Sequence, residues 1–295
     1  MKYASASAFR SALEQRLTAR AGGDGTRIAR QRKRIAFDRL LARLVATAPD
    51  DWLLKGGFAL DLRLADRART TKDVDLAWRT RQGELIDTLI DASTRDEGDY
   101  FTFTIQRTNN PGDRLDAAHR FRVTASLAGR AFETFFLDIG HDVEPGQTTE
   151  ALTTPDLLGF AGIDPVTVSA IPLASHIAEK LHAYTRIYEG GRPSTRTKDL
   201  IDLALIAESS RLDAAALSRA IRTTFAHRAT HASPSALPTP PSSWRVPYRQ
   251  LASEVGLPSD LSAGHASAAG LLDPVLHLTV TSGTWDPDTR RWESA

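Results

Sequence analysis

Two carboxylates, Asp73 and Asp75, stand in the segment KDVDLAW at 72–78, alternating with Val74 and Leu76. The alternation predicts a strand with one polar face, on which residues two apart project from the same side about 6.5–7 Å apart. A pair so placed suits two divalent cations about 3.5–4 Å apart, the arrangement that serves in-line displacement at phosphorus. Acid-x-acid alone carries no weight, because it recurs at Glu97/Asp99, Asp142/Glu144 and Asp286/Asp288. The first pair differs by its setting. It lies in an apolar strand, one short helix after Gly56-Gly57, where DDWLLKGGFALDLRLA reads as strand, glycine turn and helix beginning near Phe58. Two glycines there let backbone N–H groups approach a phosphate with a helix N-terminus behind them; the alternative is a tight turn without a ligand. A third acid, Asp138, follows Phe132, Thr134 and Phe136 on one side of an apolar strand read as core. A carboxylate in such a place either binds metal or ends the strand as the cap of the turn at Gly140.

The second set of candidates lies further on. Of 37 basic residues only six are lysine: Lys2, Lys33, Lys55, Lys72, Lys180 and Lys198. In a chain that defaults to arginine, a lysine marks a place for a compact ammonium, and Lys55 and Lys72 adjoin the glycine turn and the acid pair. Lys180 stands in IAEKLHAYTR at 177–186 among Ile177, Ala178, Leu181 and Ala183. It is either a half-buried charge for phosphate or a snorkelling lysine. The segment TKDLIDL at 197–203 puts Asp199 and Asp202 one helical turn apart, and a basic loop, EGGRPSTR at 189–196, separates the two helices. His176 and His182 are not spaced as a helical metal pair and are not read as ligands.

These residues need elements to hold them. Helical spacing over 7–20 and 26–47 precedes the glycine turn, and a helix at 82–92 follows the acid pair. Three strands are read at 100–107, 119–127 and 130–139, the last two joined by a hairpin turn at Ala128-Gly129. This is an α+β domain over 1–154. From Pro155 the pattern turns helical, with helices at 173–189, 198–208 and 213–227, then near 248–256 and 265–272, and a strand-like tail around Trp285. The second domain is therefore 155–295 and mostly helical. Within it, 231–247 holds five prolines and is read as an ordered strap pinned by Trp244 and Tyr248.

Composition narrows the class. The chain has 295 residues, 41% of them apolar and 25% charged, enough for a sizeable core. It has no cysteine, which excludes disulfides, thiolate zinc sites and a cysteine nucleophile. No apolar run approaches the ~20 residues of a membrane span, and Arg10, Glu14 and Arg16 interrupt the N-terminal segment, so no membrane role and a cytoplasmic location are expected. The net charge of +1 conceals an asymmetry: residues 1–49 hold eleven Lys/Arg against three Asp/Glu. Arg27, Arg30, Arg32, Lys33 and Arg34 form the densest block, either a footprint for a phosphate backbone or a solvated helix face.

In this order, LLKGGFAL, TTKDVDL, FLDIG, IAEKLHA and KDLIDL resemble the AbiEii-type nucleotidyltransferase toxins, including the MenT toxins, within the DNA-polymerase-β-like superfamily. The resemblance spans about residues 30–250. It implies a nucleotidyltransferase-like domain with a mixed sheet and flanking helices, completed by a helical domain. On its pattern Asp73, Asp75 and Asp138 are the metal acids, for two Mg²⁺ ions. Lys180 and Asp202 join them as catalytic residues. Lys55, Gly56, Gly57, Thr71, Lys72, Arg186 and Asp199 contact the nucleotide. A Ser or Thr often follows the two glycines in that family, and Phe58 stands there instead. The activity implied is transfer of a nucleotide from an NTP to an RNA acceptor, the tRNA 3′ end, with pyrophosphate released. The rival acceptors are a small molecule such as an aminoglycoside and a protein side chain. A non-catalytic binding protein on a decayed transferase scaffold is the third reading. The resemblance also implies a neighbouring antitoxin, which in some relatives phosphorylates a hydroxyl ahead of the acid pair, here Thr71 beside Thr70. A monomer is expected.

Overall fold

The computed structural model describes residues 1–79, 82–108, 119–141, 148–188, 192–193 and 196–294. The loop at 189–196, the helix end at Glu189 and the pair Asp142/Glu144 lie partly or wholly outside these residues. The chain divides into two compact units. One is Met1–Arg63 with Thr70–Ile171; the other is Leu64–Arg69 with Pro172–Ala295.

In the first unit, α1 (Ala6–Ala21) and α2 (Gly25–Thr47) start where Ser5 and Asp24 accept hydrogen bonds from the first free N–H groups. Phe9, Leu13 and Leu17 recur every four residues along α1 and are buried, as are Ile35, Leu40, Leu41 and Leu44 of α2. Next come β1 (Trp52–Lys55), α3 (Gly56–Leu64), β2 (Asp73–Trp78) and α4 (Gln82–Thr94). They are followed by β3 (Phe101–Arg107), β4 (His119–Leu127), β5 (Arg130–Gly140), β6 (Glu150–Thr153) and β7 (Thr167–Ala170). The strands form one mixed sheet in the order β3-β4-β5-β2-β1-β7-β6. β2 runs parallel to β5 and antiparallel to β1. Trp52, Leu54, Val74, Leu76, Leu137 and Ile139 form the core with residues of α1, α2 and α4.

Two strands of the first unit escape the sequence pattern. β6 and β7 are four residues each, too short for alternation to register, yet β7 pairs with β1. The Ile171 N–H donates to the Leu54 carbonyl at 3.0 Å, so the first unit runs to Ile171 and not to residue 154. The helix expected to start near Phe58 starts at Gly56, directly on the end of β1.

The basic block at 27–34 is largely engaged within the fold. Arg30 and Arg34 both reach Asp61 at 2.6 Å, Arg32 pairs with Glu14 at 2.7 Å, and Lys33 pairs with Glu133 at 2.8 Å. Arg43, fully buried, makes a two-pronged contact with Asp99 at 2.9 and 2.8 Å. These charges brace α2 against its own unit, which corrects the reading of the block as a free footprint.

The second unit holds α5 (Leu173–Thr185), β8 (Ile187–Tyr188), β9 (Arg192–Pro193), α6 (Thr197–Ala207), β10 (Leu212–Asp213) and α7 (Ala214–Arg228). It continues with α8 (Arg245–Val255), α9 (Leu261–Leu276), β11 (Thr284–Asp286) and β12 (Arg291–Glu293). α5 stops at Thr185, short of the expected Glu189, because Arg186 turns extended and the chain enters the β8–β9 pair. α9 is longer than its expected 265–272 because Asp260 caps it. The proline-rich strap is pinned as expected: Trp244 and Tyr248 are buried, Tyr184 donates to the Pro238 carbonyl at 2.6 Å, and the Leu237 N–H donates to Asp273 at 2.7 Å.

Candidate active site

The face of the sheet turned from the core carries the acids. Asp73 and Asp75 alternate with core-facing Val74 and Leu76, as the sequence predicts. In the parallel β2–β5 ladder Asp75 is the register partner of Asp138, and Asp73 that of Phe136. Lys55 is the partner of Asp75 on β1, and Arg120 the partner of Asp138 on β4. A single row across four strands therefore reads Arg120, Asp138, Asp75, Lys55, with two carboxylates flanked by two cations. Cross-strand partners stand about 4.5–5.5 Å apart, close enough for each charge to act on the next.

Asp138 is on this face for a different reason than the sequence indicates. The core side of β5 is Phe135, Leu137 and Ile139. Phe132 belongs to the core only because the β4–β5 register shifts between Ala125 and Ser126, a bulge that changes which side residues beyond it address. Thr134, Phe136 and Asp138 lie opposite. Asp138 is 3% exposed and continues its strand, so it is not a cap for a turn at Gly140.

Gly56 explains the glycine pair. It has φ of +65°, and a Cβ built on it would lie 2.0 Å from Asp75 Oδ2. Asp75 thus packs its carboxylate against the first residue of α3, where the helix end carries partial positive charge. Gly57 follows in the first turn, and Phe58 turns into the core, its ring 4.9 Å from that of Phe37. Lys55 is buried and Lys72 exposed. Thr71 is buried, its hydroxyl donating to the Asp73 carbonyl at 3.2 Å, and Thr70 is half-buried.

Among the described residues no three His, Cys, Asp or Glu side chains stand where they could jointly hold a metal ion. Asp73 and Asp138 instead converge on a cation of the chain itself. Arg120 Nη2 lies 3.5 Å from Asp73 Oδ1, and Arg120 Nε lies 3.2 Å from Asp138 Oδ1. Carboxylate oxygens are the ligand type a hard divalent cation takes, and here one guanidinium draws Asp73 and Asp138 together while Asp75 is the register partner of Asp138.

The second unit holds its own ionic cluster. Lys180 Nζ lies 2.6 Å from Asp202 Oδ2 and 3.4 Å from Asp199 Oδ1. Arg69 grips both oxygens of Asp202 at 3.0 Å, and Arg196 meets Asp199 at 3.0 Å. Lys180 is buried, so it is not a snorkelling surface lysine. Asp202 is fully buried. Burial pushes its carboxyl upward, but the Lys180 and Arg69 charges and their hydrogen bonds outweigh that and hold it below the usual range. Arg186 lies just past α5 and is half-buried. His182 is structural: Thr230 Oγ1 is 2.8 Å from its Nε2, and its ring packs on Phe225 and His231.

Sequence reasoning missed Arg120 and Arg69. HRFRV does place Arg120 on the polar side of a strand, but nothing in the sequence names its partner. Arg69 sits in RARTTK, which has no periodicity.

A mixed sheet bearing paired strand carboxylates beside a glycine at a strand-to-helix junction is an arrangement that in-line displacement at phosphorus can use. The family model "Nucleotidyl transferase AbiEii toxin, Type IV TA system" matches residues 39–267, and the chain belongs to this family of toxin–antitoxin nucleotidyltransferases. Among solved structures it is similar to MenT4, a nucleotidyltransferase toxin from Mycobacterium tuberculosis H37Rv, with 18% identity, 89% of each chain covered and a TM-score of 0.61. It is also matched by JHP933 from Helicobacter pylori, at 14% identity, 84% of this chain and 93% of that one, with a TM-score of 0.45. A further structure from H. pylori matches at 16% identity, 84% of this chain and 96% of that one, and a TM-score of 0.45. No curated protein matches the chain in sequence.

Two outcomes follow from this geometry. Gly56→Ala should displace Asp75 and force a side chain into left-handed backbone, costing about 1–3 kcal/mol and most of the nucleotidyl transfer; denaturation midpoints and transfer rates measured together check this, and an unchanged rate refutes the packing role. Because the Asp202 carboxyl is lower in the folded than in the unfolded chain, it adds stability that is complete above the unfolded value of about 4 and fades as pH falls through the folded one. Asp202→Asn should therefore be less stable than wild type by about 3 kcal/mol or more at pH 7, with the gap narrowing in acid. Urea denaturation across pH 3–7 measures that gap, and a gap independent of pH goes against it.

Proposed function

We propose that the protein is a toxin that transfers a nucleotide from an NTP to RNA, the tRNA 3′ end being the acceptor the family likeness favours, and so blocks translation. The observation that carries the nucleotidyl transfer is the register pairing of Asp75 with Asp138, with Asp73 on the same face of β2. Asp73, Asp75 and Asp138 would hold Mg²⁺. The ion, when bound, withdraws charge from the phosphorus under attack and from the departing pyrophosphate.

The chain's own residues divide the remaining work. The acceptor hydroxyl oxygen bonds to the α-phosphorus as the bond from that phosphorus to pyrophosphate breaks, and Asp138 takes the hydroxyl proton. The backbone of Gly56 and Gly57, with Lys55 and Lys72 near them, meets phosphate oxygens. Lys180 neutralises triphosphate charge, and Asp202 and Asp199 hold its ammonium in place. Arg186 adds a further phosphate contact. An antitoxin encoded nearby would silence the enzyme. Phosphorylation at Thr71 is one route, and because its hydroxyl is turned inward a kinase would have to draw it out, whereas Thr70 is more accessible.

The acceptor rests on the family likeness and not on charge, since the block at 27–34 is occupied within the fold. Incubation with each labelled NTP, Mg²⁺ and total RNA tests the reading, and the same assay with an aminoglycoside or a protein acceptor separates the rivals. Label should enter RNA; Asp75→Ala should lower the rate by orders of magnitude while leaving the fold intact, and Lys180→Ala should weaken NTP binding, with Lys180→Arg restoring only part. Near-wild-type transfer by Asp75→Ala would sink the assignment.

A further inference from the structure

Arg120 stands at the end of the charged row, one strand beyond Asp138. Its guanidinium spans from Asp138 to Asp73, and its central carbon lies 4.1 Å from the centroid of the ring of Phe136, the register partner of Asp73. The quality of these contacts sets it apart from two other arginines that pair with carboxylates, Arg43 and Arg69. Arg43 meets Asp99 at 2.8–2.9 Å, and Arg69 meets both oxygens of Asp202 at 3.0 Å; both are aligned two-pronged grips. Arg120 reaches Asp73 only at 3.5 Å, beyond the usual hydrogen-bond distance, and its Nε and Asp138 Oδ1 are close without the alignment of a hydrogen bond. The pairing is thus Coulombic, with little directional bonding to hold it.

Such a cation answers a specific need. Asp75 and Asp138 are neighbours in one row, and like charges directly opposite in a sheet destabilise it. Lys55 flanks the row on one side and Arg120 on the other. A fixed, aligned arginine would close the carboxylates to any other cation, whereas a loosely held one stacked on an aromatic ring can withdraw without leaving a buried charge unsupported.

We propose that Arg120 is a displaceable counter-ion of the metal-binding carboxylates, occupying Asp73 and Asp138 in the metal-free protein and competing with the divalent cation for them. The inference rests on the metal reading of those acids. It makes Arg120 a residue that sets metal affinity, in addition to any part it takes in the reaction.

Manganese serves as the probe, its binding followed by the electron paramagnetic resonance of the free ion, with no substrate and no activity measured. Arg120→Gln should bind Mn²⁺ about fivefold or more tightly than wild type, because a unit charge that repels the ion is gone while the carboxylates remain. Arg120→Lys, whose ammonium cannot fork across both acids, should fall between them and takes the place of the glutamine variant if that does not fold. In each background Asp75→Asn should abolish the binding. Equal or weaker binding by Arg120→Gln, with Asp75→Asn still abolishing it, overturns the role of Arg120 and leaves the metal site standing. No binding by wild type or either Arg120 variant, or tight binding that survives Asp75→Asn, overturns both.

Discussion

Two negative charges held side by side are the constraint around which the first unit is arranged. Parallel pairing of β2 with β5 puts Asp75 beside Asp138, and neither strand can slip by one residue without sending its acid into the core. The rest of the arrangement makes that juxtaposition tolerable. Lys55 and Arg120 bracket the row, Gly56 gives the Asp75 carboxylate a place against a helix start, and Val74, Leu76, Leu137 and Ile139 anchor the opposite face.

Ion pairs of similar composition do different things in this chain. The contacts among Asp38, Arg39, Asp99 and Arg43 tie α2 to the start of β3, are buried, and touch no candidate site. In the cluster of Arg69, Lys180, Asp199 and Asp202 all but Arg69 are buried, and it presents one ammonium whose position depends on its carboxylates. A buried pair is weak evidence of stabilisation by itself, since desolvation opposes the Coulomb gain, so the second cluster is better understood as fixing a geometry.

Much of this was legible in the residues. Alternation in KDVDLAW gave strand, face and acid pair together, because a half-buried strand must alternate. The long helices were legible from apolar spacing and the hairpin from Ala128-Gly129, which both take positive φ. The apolar run misleads around Asp138: one bulged residue moves Phe132 to the core side, and a bulge leaves no mark in such a run. β6 and β7 were too short for periodicity and owe their existence to the free edge of β1. Arg69 and Arg120 were silent because what defines them is a partner far away in sequence, 133 residues away for Arg69.

The internal pairing of the α2 arginines reaches beyond the fold. A guanidinium already matched to Asp61 or Glu14 is not free to neutralise a phosphate, so it displaces few of the cations condensed on a polyanion. Toward a nucleic acid, Arg30, Arg32 and Arg34 would add little to the steepness with which added salt weakens a complex.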